Sequence, residues 1–424
     1  MSAATERGPI DFDPRTLDIV SPEKYQREGY PHAEWTWLRK HAPVFWYDRP
    51  EFEPFWAITK HVDIVEIGKN PRDFIIQPRL AVFAKANEPP EDPARHLLNM
   101  DPPDHGKYRK VVAKWFTPRT VKVWQPKVEK LTREILDSAG QKRELDFVAE
   151  VSAPITIAVI ALMLGVPEQD WPLLFRWTNE IIASEDPEYQ HGRTPRETGD
   201  AARNELFRYF AALAEERRKN PQDDILSVVV HGRVDGQPIP VFELLSYYFL
   251  LVVAGNETTR NAMSGGVQQL IDNPGELAKL IGNPALVDGM VEETVRWVTP
   301  VNQFTRTATR DVRVRDTLVK QGQSVCLFYA SGNRDEEVFE DPFAFRIDRH
   351  PNDHIGFGRG EHVCLGAHLA RLELRSLFAE LRRRLVSIER TGPVDRIHSS
   401  FIGGIKRAPI RWDLSAGARE CRRG

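Results

Sequence analysis

The spacing of apolar residues predicts a chain that is mainly helical from about residue 103 onward. In several segments apolar positions recur every three or four residues, as they do on the buried face of a helix. These segments are 107–116, 121–139, 148–164, 170–182, 198–220 and 241–271. The longest apolar runs, 153–166 and 244–255, are shorter than the ~20 residues that a membrane span needs. We therefore interpret them as buried core helices and expect no membrane span.

Strand patterns are few and short. The apolar residues 55–58 predict a strand, followed by a helix that begins near His61. Residues 312–314, 324–328 and 410–412 also alternate or cluster as strand residues do, with Gly, Asp or Pro between them. The predicted fold class is mainly α with a small antiparallel β region. Because no internal repeat or Gly/Ser linker interrupts the chain, we expect residues 1–424 to form a single domain.

Composition and charge exclude several classes of protein. Lys and Arg number 58 against 61 Asp and Glu, a net charge of −3, so a nucleic-acid-binding protein is not expected. The N-terminus carries Glu6 and Asp11 and has no apolar core, which argues against a signal peptide and for a cytoplasmic protein. Cys326, Cys364 and Cys421 show no CxxC spacing, which excludes a disulfide scaffold or a zinc knuckle.

The segment that carries candidate chemistry lies in a stretch without helical or strand periodicity, residues 342–366. Long irregular stretches inside compact domains are usually functional. Residues 357–366 read FGRGEHVCLG, so that three glycines flank Cys364 ahead of a helical run. Glycine allows close approach to a flat partner, and a helix N-terminus stabilises a thiolate. The pattern indicates a sulfur presented to a metal; the alternative is a cysteine that only packs.

This cysteine loop, defined as residues 357–366, resembles the haem-binding signature of the cytochrome P450 family. The resemblance implies the family's triangular helical prism and a haem b cofactor (iron protoporphyrin IX). Cys364 would be the metal ligand, with Phe357, Gly358 and Gly366 against the cofactor. A thiolate ligand donates electron density to iron and favours O–O cleavage.

A second motif is Glu293 and Arg296, whose i, i+3 spacing brings the two side chains to one helix face. The plain alternative is an exposed surface pair of little energetic consequence. In its position before the cysteine loop, the pair resembles the family's ExxR motif. The resemblance implies a buried network of Glu293, Arg296 and Arg349 that holds the loop.

A third motif, residues 254–259 (AGNETT), lies inside an apolar helix where glycine, an acid and hydroxyls are unusual. Such residues can open a helix locally, although they can equally mark a polar patch where the helix surfaces. The segment resembles the family's acid–alcohol pair. It implies Thr258 beside the co-substrate O₂, Glu257 as the acid that relays protons, and Ala254 against the haem.

Two haem propionates would need cationic partners, and arginine offers a bidentate fork. His105 and Arg109 share a helix face at i, i+4 in a segment that resembles the family's region above the haem. The resemblance implicates His105, Arg109, Arg306 and His362 as propionate partners. The alternative for each is a solvated surface residue.

Residues that would face the substrate are almost all apolar. By position in the family's fold they are Leu80, Val82, Phe83, Leu250, Ala254, Val301, Phe304, Phe401 and Ile402. Such a lining would bind a small apolar substrate, for which a sterol, a terpenoid or an aromatic compound is expected, by area burial with few orienting hydrogen bonds. The alternative for each residue is core packing.

The implied activity is that of a monooxygenase, an oxidoreductase that inserts one oxygen atom of O₂ into a C–H bond. The chain has no flavin, dinucleotide or iron–sulfur motif, so electrons of NAD(P)H would arrive through a ferredoxin and a ferredoxin reductase. A cationic surface would steer that partner, unless it is only a solvated face. Its residues are Lys107, Arg109, Lys110, Lys114, Arg359 and Arg371. We expect a monomer.

Two other functions share the cysteine loop. A peroxide-driven peroxygenase would need no reductase, but such enzymes commonly lack the acid–alcohol pair that Glu257 and Thr258 resemble. A haem-binding sensor without catalysis would usually carry an output domain, and the sequence shows none. The sequence therefore favours a monooxygenase.

Overall fold

The computed structural model describes residues 13–85 and 95–415, and helices dominate this part of the chain. The helices are α1 (Pro22–Glu28), α2 (His32–His41), α3 (His61–Gly68), α4 (Asp104–Ala113), α5 (Pro118–Ala139), α6 (Ala153–Leu164), α7 (Trp171–Ile182), α8 (Pro187–Gln190), α9 (Pro195–Lys219), α10 (Ile225–Val230), α11 (Val241–Asp272), α12 (Pro274–Gly282), α13 (Val287–Val298), α14 (Tyr329–Gly332) and α15 (Ala367–Arg384).

The strands are short. They are β1 (Val44–Tyr47), β2 (Phe55–Ile58), β3 (Phe74–Ile75), β4 (Glu144–Asp146), β5 (Arg233–Val234), β6 (Gln237–Pro238), β7 (Gln303–Ala308), β8 (Val312–Val314), β9 (Thr317–Val319), β10 (Ser324–Phe328), β11 (Leu385–Arg390), β12 (Asp395–Arg396), β13 (Ile405–Arg407) and β14 (Pro409–Leu414).

The largest sheet has the order β1-β2-β10-β7-β3, and a second has the order β11-β14-β4. Three two-stranded hairpins complete the β structure of the described residues. All pairs are antiparallel except β2 with β10, which run parallel with Ala57 opposite Cys326. The predicted fold class, mainly α with small antiparallel β regions, is confirmed.

Local sequence accounts for several helix ends. Thr117 caps α5 by accepting a hydrogen bond from the Thr120 N–H. Thr194 and Glu197 form a reciprocal capping box at the start of α9. Helix α6 ends at Gly165, whose φ of 72° suits glycine. These caps explain why α5 and α9 begin three residues earlier than their apolar periodicity alone predicts.

The predicted helices are all present, with two local departures. Residues Lys114–Phe116 form a 3₁₀ turn after α4, and Val148–Ser152 form a π-helical turn before α6. Residues 342–366 contain no helix or strand, as the sequence predicts. Within the described ranges, no helix combines the length and apolarity that crossing a membrane requires.

Helix α11 runs between the two largest apolar clusters of the core. Its first part, including Leu244 and Val252, packs into the cluster that also holds α6, α9 and α10. Its last part, from Ala262 to Leu270, packs into the cluster that also holds α13 and α15. Residues 254–261 belong to neither cluster. The interior cavity opens beside this stretch.

Candidate active site

The cavity lies between α11, α15, α4, β7 and the cysteine loop, with a volume of about 1480 Å³ including its opening to solvent. Most of the residues that the sequence singles out line it. They are His105, Arg109, Leu250, Ala254, Thr258, Val301, Phe304, Arg306, Phe357, Gly358, His362, Cys364 and Gly366. Residues separated by more than 250 positions thus share one site.

The cysteine loop folds back on itself so that Cys364 reaches the cavity. The Cys364 N–H donates to the Phe357 carbonyl at 2.8 Å, and Cys364 itself is exposed to the cavity. Burial raises the pKa of its thiol, while a backbone hydrogen bond from Gly366 and the charges of Arg109 and Arg371 act to lower that pKa. The surroundings thus include the positive groups that a thiolate needs.

Two glycines make the loop possible. Gly358 and Gly360 have φ of 71° and 80°, values that favour glycine. A Cβ at Gly360 would lie 2.1 Å from the carbonyl oxygen of Gly68 at the end of α3. Any larger residue at 360 would force the loop away from α3.

A buried ionic network holds the segment that leads into the cysteine loop. Arg296 donates to both carboxylate oxygens of Glu293, at 2.8 and 2.7 Å, and Arg349 donates to the same carboxylate at 3.2 and 3.3 Å. Asn352 Nδ2 donates to it at 3.2 Å and the Arg346 N–H at 2.8 Å. We call Glu293, Arg296, Arg349 and these partners the Glu293 network.

The guanidinium groups of this network are also satisfied on their far sides. Arg296 donates to the carbonyls of Asn333 and Pro342, each at 2.9 Å. Arg349 donates to the carbonyl of Ala344 at 2.8 Å. Glu293 and Arg296 are fully buried. The network therefore ties α13 to the irregular segment at several points.

A second acid of α13 supports the loop from the side. Glu292 accepts two hydrogen bonds from Arg371 of α15, at 2.6 and 2.8 Å, and contacts His354 Nε2 at 2.9 Å. Burial alone would raise the pKa of Glu292, but Arg371 and His354 lower it to about 2. The Arg371 guanidinium lies 4.5 Å from the centre of the Phe357 ring, which lines the cavity.

Two arginines and two histidines gather at one end of the cavity, and we call His105, Arg109, Arg306 and His362 the cationic end. The rings of His105 and His362 lie 4.1 Å apart. Arg109 donates to the Val363 carbonyl at 2.7 Å, and Arg306 to the Thr305 carbonyl at 2.7 Å. Neither arginine forms an ion pair within the described residues.

The cationic end has few acidic partners. His362 Nε2 is buried without a hydrogen-bond partner. Burial, together with the nearby His105, Arg306 and Arg109, lowers the pKa of His362 to about 2. Among the described residues, Glu361, which contacts His105 Nδ1 at 3.1 Å, is the one acid bonded to these four residues. A cofactor that brings two carboxylates, as haem does, fits this donor set.

Helix α11 presents one face to the cavity. Ala254, Thr258 and Ala262 follow each other at intervals of four residues and all line the cavity. The Thr258 hydroxyl donates to the Ala254 carbonyl at 2.9 Å. A threonine bonded in this way competes for a helix carbonyl at the position where the sequence predicts local opening.

Glu257 does not reach the cavity, unlike Thr258. It is fully buried, forms an ion pair with Arg260, and accepts from Asn261 Nδ2 at 3.1 Å. Arg260 in turn donates to Asn179 Oδ1 of α7 at 2.9 Å. The reason is geometric, because consecutive residues of a helix point about 100° apart. The acid and the alcohol of the predicted pair therefore face different neighbours.

Five residues predicted for the substrate pocket are not among those that line the cavity. They are Leu80, Val82, Phe83, Phe401 and Ile402. Leu80 and Val82 hydrogen-bond through their main chains to Thr305 and Gln303 of β7.

The remaining three support the cavity wall from behind. The Phe401 ring contacts Phe83 and Phe304, with ring centres 5.8 and 5.6 Å apart. Ile402 is buried and pairs with Val301. Phe304 and Val301 are the residues that themselves line the cavity.

Other lining residues were not predicted from the sequence. The most informative are Leu97 and Leu98, which follow the N-terminal β region, Ile160 of α6, and Glu373 of α15. Leu97 and Leu98 carry no local signal. Glu373 does, because it is an acid on a helix face otherwise occupied by Leu369, Ala370 and Leu377.

The chain is similar to known proteins along most of its length. A family model described as Cytochrome P450 matches residues 21–403. The chain is 33% identical over 414 residues to Cytochrome P450-terp of a Pseudomonas species, covering 93% of this chain and 96% of that protein. It is 37% identical over 414 residues to Steroid C26-monooxygenase of Mycobacterium tuberculosis, with coverages of 94% and 93%.

A solved structure shows the same architecture. Cytochrome P450 CYP268A2 of Mycobacterium marinum, in complex with pseudoionone, superimposes with a TM-score of 0.87 at 33% identity. The match covers 95% of this chain and 99% of that one.

Proposed function

The chain belongs to the cytochrome P450 family of haem-thiolate monooxygenases, and from that premise we propose that it hydroxylates a C–H bond of a small apolar substrate, a terpenoid or a sterol. One oxygen atom would come from O₂, and the electrons from NAD(P)H through a ferredoxin and a ferredoxin reductase. The observation that carries the proposal is the single cavity in which Cys364, the cationic end and the Thr258 face of α11 meet.

The haem, taken to be haem b, would supply iron that activates O₂ when bound. Cys364 is the residue to hold that iron, and the donors of the cationic end are those to hold the propionates. The Glu293 network keeps the approach to the cysteine loop fixed, so that the sulfur stays at one position. The requirement that glycine occupy position 360 supports the same role.

Thr258 is proposed to orient water and deliver protons on the side of the cavity opposite Cys364. Its hydroxyl already bonds to the Ala254 carbonyl, and a hydroxyl can donate and accept at once. Glu257 would take part only by leaving its ion pair with Arg260. A buried pair of this kind is expensive to break, so a direct relay from Glu257 requires movement of α7 or α11.

The substrate class follows from the walls. Leu97, Leu98, Leu250, Val301 and Phe304 offer apolar area without a polar group to orient a substrate. The relatives support this class, since one is named for a steroid and the structural neighbour holds pseudoionone. Regiochemistry would then be decided by shape.

The proposed ferredoxin surface is smaller at the cysteine loop than the sequence predicts. Lys107 pairs with Asp235, Arg359 with Asp353 and Arg371 with Glu292, while Arg109 lines the cavity. Lys110 and Lys114 remain exposed and have no ion pair in the described part of the chain. Arg119 and Lys122, near the start of α5, are equally exposed.

The decisive experiment is the absorption spectrum of the dithionite-reduced protein under carbon monoxide, with a Cys364→Ala variant beside it. We expect the strongly red-shifted Soret band of thiolate ligation, and its loss in the variant. A binding screen with sterols, terpenes and arenes, followed by O₂-dependent turnover with a surrogate ferredoxin system, would then identify the substrate. A band typical of histidine ligation, or turnover supported by peroxide alone, would contradict the proposal.

The ferredoxin surface has its own test. The double variant Lys110→Glu, Lys114→Glu should slow reduction by an acidic ferredoxin and weaken the dependence of that rate on salt. Lys219→Glu, an exposed cation at the end of α9, is the control. Equal reduction rates in the double variant and the control would place the partner elsewhere.

A further inference from the structure

The loop that joins α7 to α9 is attached by ion pairs to the β12–β13 hairpin, which we define as residues 395–407. Lys406 of β13 donates to both carboxylate oxygens of Asp186, at 3.1 and 2.9 Å, and its Nζ lies 2.9 Å from Glu188 Oε2. The Lys406 side chain is 9% exposed and that of Asp186 is 2% exposed. A buried ion pair thus joins two segments that lie 220 positions apart in the sequence.

Other contacts hold both members of this ion pair in place. Asp186 caps α8, because its carboxylate accepts a hydrogen bond from the Glu188 N–H at 3.1 Å. The same carboxylate accepts from the His398 N–H in the turn of the hairpin, at 3.4 Å. Burial alone would lower the pKa of Lys406, but Asp186 and Glu188 raise that pKa above its ordinary value, so Lys406 stays charged.

Stability alone does not explain why an ion pair is buried here. Replacing a buried ion pair by well-packed apolar residues is often neutral or stabilising, but an ion pair requires one relative position of its two groups. The neighbouring Arg407 pairs with Glu188 and Asp395 nearer the surface, and its side chain is 47% exposed. The buried pair of Asp186 with Lys406 is therefore better explained by a need to hold the hairpin at one position.

The hairpin cannot hold that position by itself. Its strands have only two and three residues, and a two-stranded hairpin is at best marginally stable in water without further packing. Its turn is attached to the segment before β7. The Gly403 N–H donates to the Pro300 carbonyl at 2.8 Å, and the Asn302 N–H donates to the Phe401 carbonyl at 3.0 Å. The position of the turn thus depends on the ion pair and on this segment.

The turn of the hairpin supports two residues of the cavity wall. Ile402 pairs with Val301, and the ring centre of Phe401 lies 5.6 Å from that of Phe304. Val301 and Phe304 line the cavity, whereas the ion pair does not. A displacement of the hairpin would therefore change the shape of the wall from outside the cavity.

We propose that Asp186 and Lys406 are positioning residues for the substrate: their ion pair fixes the hairpin, and the hairpin fixes the wall at Val301 and Phe304. An apolar site selects its ligands by shape. The placement of this wall therefore decides which apolar molecules bind and which of their C–H bonds are hydroxylated. This inference rests on the proposed monooxygenase function, within which it names residues that set substrate preference without touching the substrate.

The first test measures the hairpin without any substrate. Hydrogen exchange of the haem-loaded protein should be faster at residues 397–404 in Lys406→Met than in the wild type, because the turn loses one of its attachments. Lys406→Arg, which keeps the charge, should restore slow exchange. Arg407→Met, on the same strand, is the matched control and should leave exchange unchanged. Asp186→Asn, which can still cap α8, should repeat the effect of Lys406→Met.

Two outcomes of the exchange experiment would contradict the proposal. One is exchange at residues 397–404 that stays as slow in Lys406→Met and Asp186→Asn as in the wild type. The other is exchange that rises equally at residues 262–270 of α11, because the ion pair would then stabilise the whole fold and not the hairpin in particular.

The second test measures the wall with two probes that bind haem iron, imidazole and the larger phenylimidazole, each titrated by the shift of the Soret band. Because one methylene group in an apolar pocket changes affinity by about tenfold or more, Lys406→Met should weaken phenylimidazole binding by about tenfold and imidazole binding by less than about twofold. Arg407→Met should bind both probes as the wild type does. Equal changes for the two probes, or no change, would show that the ion pair does not place the wall.

Product analysis connects the ion pair to the reaction. With a substrate from the binding screen, Lys406→Met should change the ratio of hydroxylated products and raise KM more than it lowers kcat. Lys406→Arg should keep the wild-type ratio. An unchanged product ratio in Lys406→Met would show that the ion pair is only structural. Absence of O₂-dependent turnover in the wild-type protein would instead reject the proposed function, and the exchange experiment would still decide whether the ion pair fixes the hairpin.

Discussion

The Glu293 network and the cationic end each bring two arginines close to the cysteine loop or to the segment that leads into it, and they differ in completeness. In the network, the Glu293 carboxylate accepts hydrogen bonds from four residues, and both guanidinium groups also reach backbone carbonyls. In the cationic end, His362 Nε2 has no hydrogen-bond partner and the two arginines have no ion pair, as far as residues 13–85 and 95–415 show. A complete group stabilises the fold, whereas an incomplete one is shaped for a ligand that the chain does not provide.

The strongest test of this comparison removes the centre of the complete group. Glu293→Gln leaves Arg296 and Arg349 buried without an anion, and we expect the free energy of unfolding to fall by ~3–5 kcal/mol. Urea unfolding of the haem-loaded protein measures it. The neighbouring Glu292→Gln, whose carboxylate is about one-third exposed, should cost clearly less. Equal losses in the two variants would show that completeness of the network does not matter.

The incomplete group should respond in the opposite way. Arg306→Gln should leave the haem-free protein as stable as the wild type, because no ion pair is lost. Haem retention should fall by roughly 10- to 100-fold, since a hydrogen bond to a charged group contributes ~1.5–3 kcal/mol. Transfer of haem to an apo-globin acceptor measures it. A haem-free protein that is strongly destabilised would show that Arg306 is structural.

His96 extends the comparison to a histidine without a partner. Burial lowers the pKa of His96 to about 4, its Nδ1 lacks a hydrogen bond, and its ring stacks on Phe249. The unfolded state takes up a proton near pH 6.5 while the folded state does not until about pH 4. The free energy of unfolding should thus decrease as the pH is lowered from about 6.5 to about 4, with a slope that corresponds to the uptake of up to about one proton on unfolding. His96→Phe should reduce that slope, and an unchanged slope would assign it to other groups.

The smallest effect is expected at Arg359, which also lines the cavity. It pairs with Asp353, whose side chain is largely exposed. Arg359→Gln should change both unfolding free energy and haem retention by less than about 1 kcal/mol. This variant is the matched control for Arg306→Gln. A loss of haem as large as in Arg306→Gln would extend the cationic end to Arg359.

The sequence predicts the parts of this molecule that depend on local pattern. Helix periodicity locates α4 to α7, α9 and α11, and the glycine spacing around Cys364 identifies the loop that reaches the cavity. The pairing of Glu293 with Arg296 also follows from helix geometry, because residues three apart share a face.

Other parts depend on contacts between distant segments. From the sequence alone, Glu257 could face the cavity beside Thr258 or pair with Arg260. The packing of α7 against α11 selects the ion pair, because Asn179 of α7 holds Arg260 in place. Likewise Phe401 stops one layer short of the cavity because Phe304 stands in front of it. Leu97 and Leu98 reach the site through a segment whose path no local pattern specifies.

Glu373 is an intermediate case. An acid on an apolar helix face is visible in the sequence, yet many such acids find an ion pair, as Glu380 does. Only the structure separates the paired acid from the unpaired one, because the arginines nearest to Glu373 on α15, Arg371 and Arg375, pair with Glu292 and Asp288 instead.

The contact of Gly360 with the Gly68 carbonyl has a consequence for engineering. Because of this contact, amino-acid substitutions are tolerated at some walls of the cavity and not at the cysteine loop. The apolar side chains of Leu250 on α11 and Phe304 on β7 can be exchanged to admit a new substrate, because neither of them holds the cysteine loop. The loop, by contrast, is pressed against α3 with no room for a methyl group. A library of variants that aims to change substrate preference should therefore keep Gly68 and Gly360 and randomise Leu250, Val301 and Phe304.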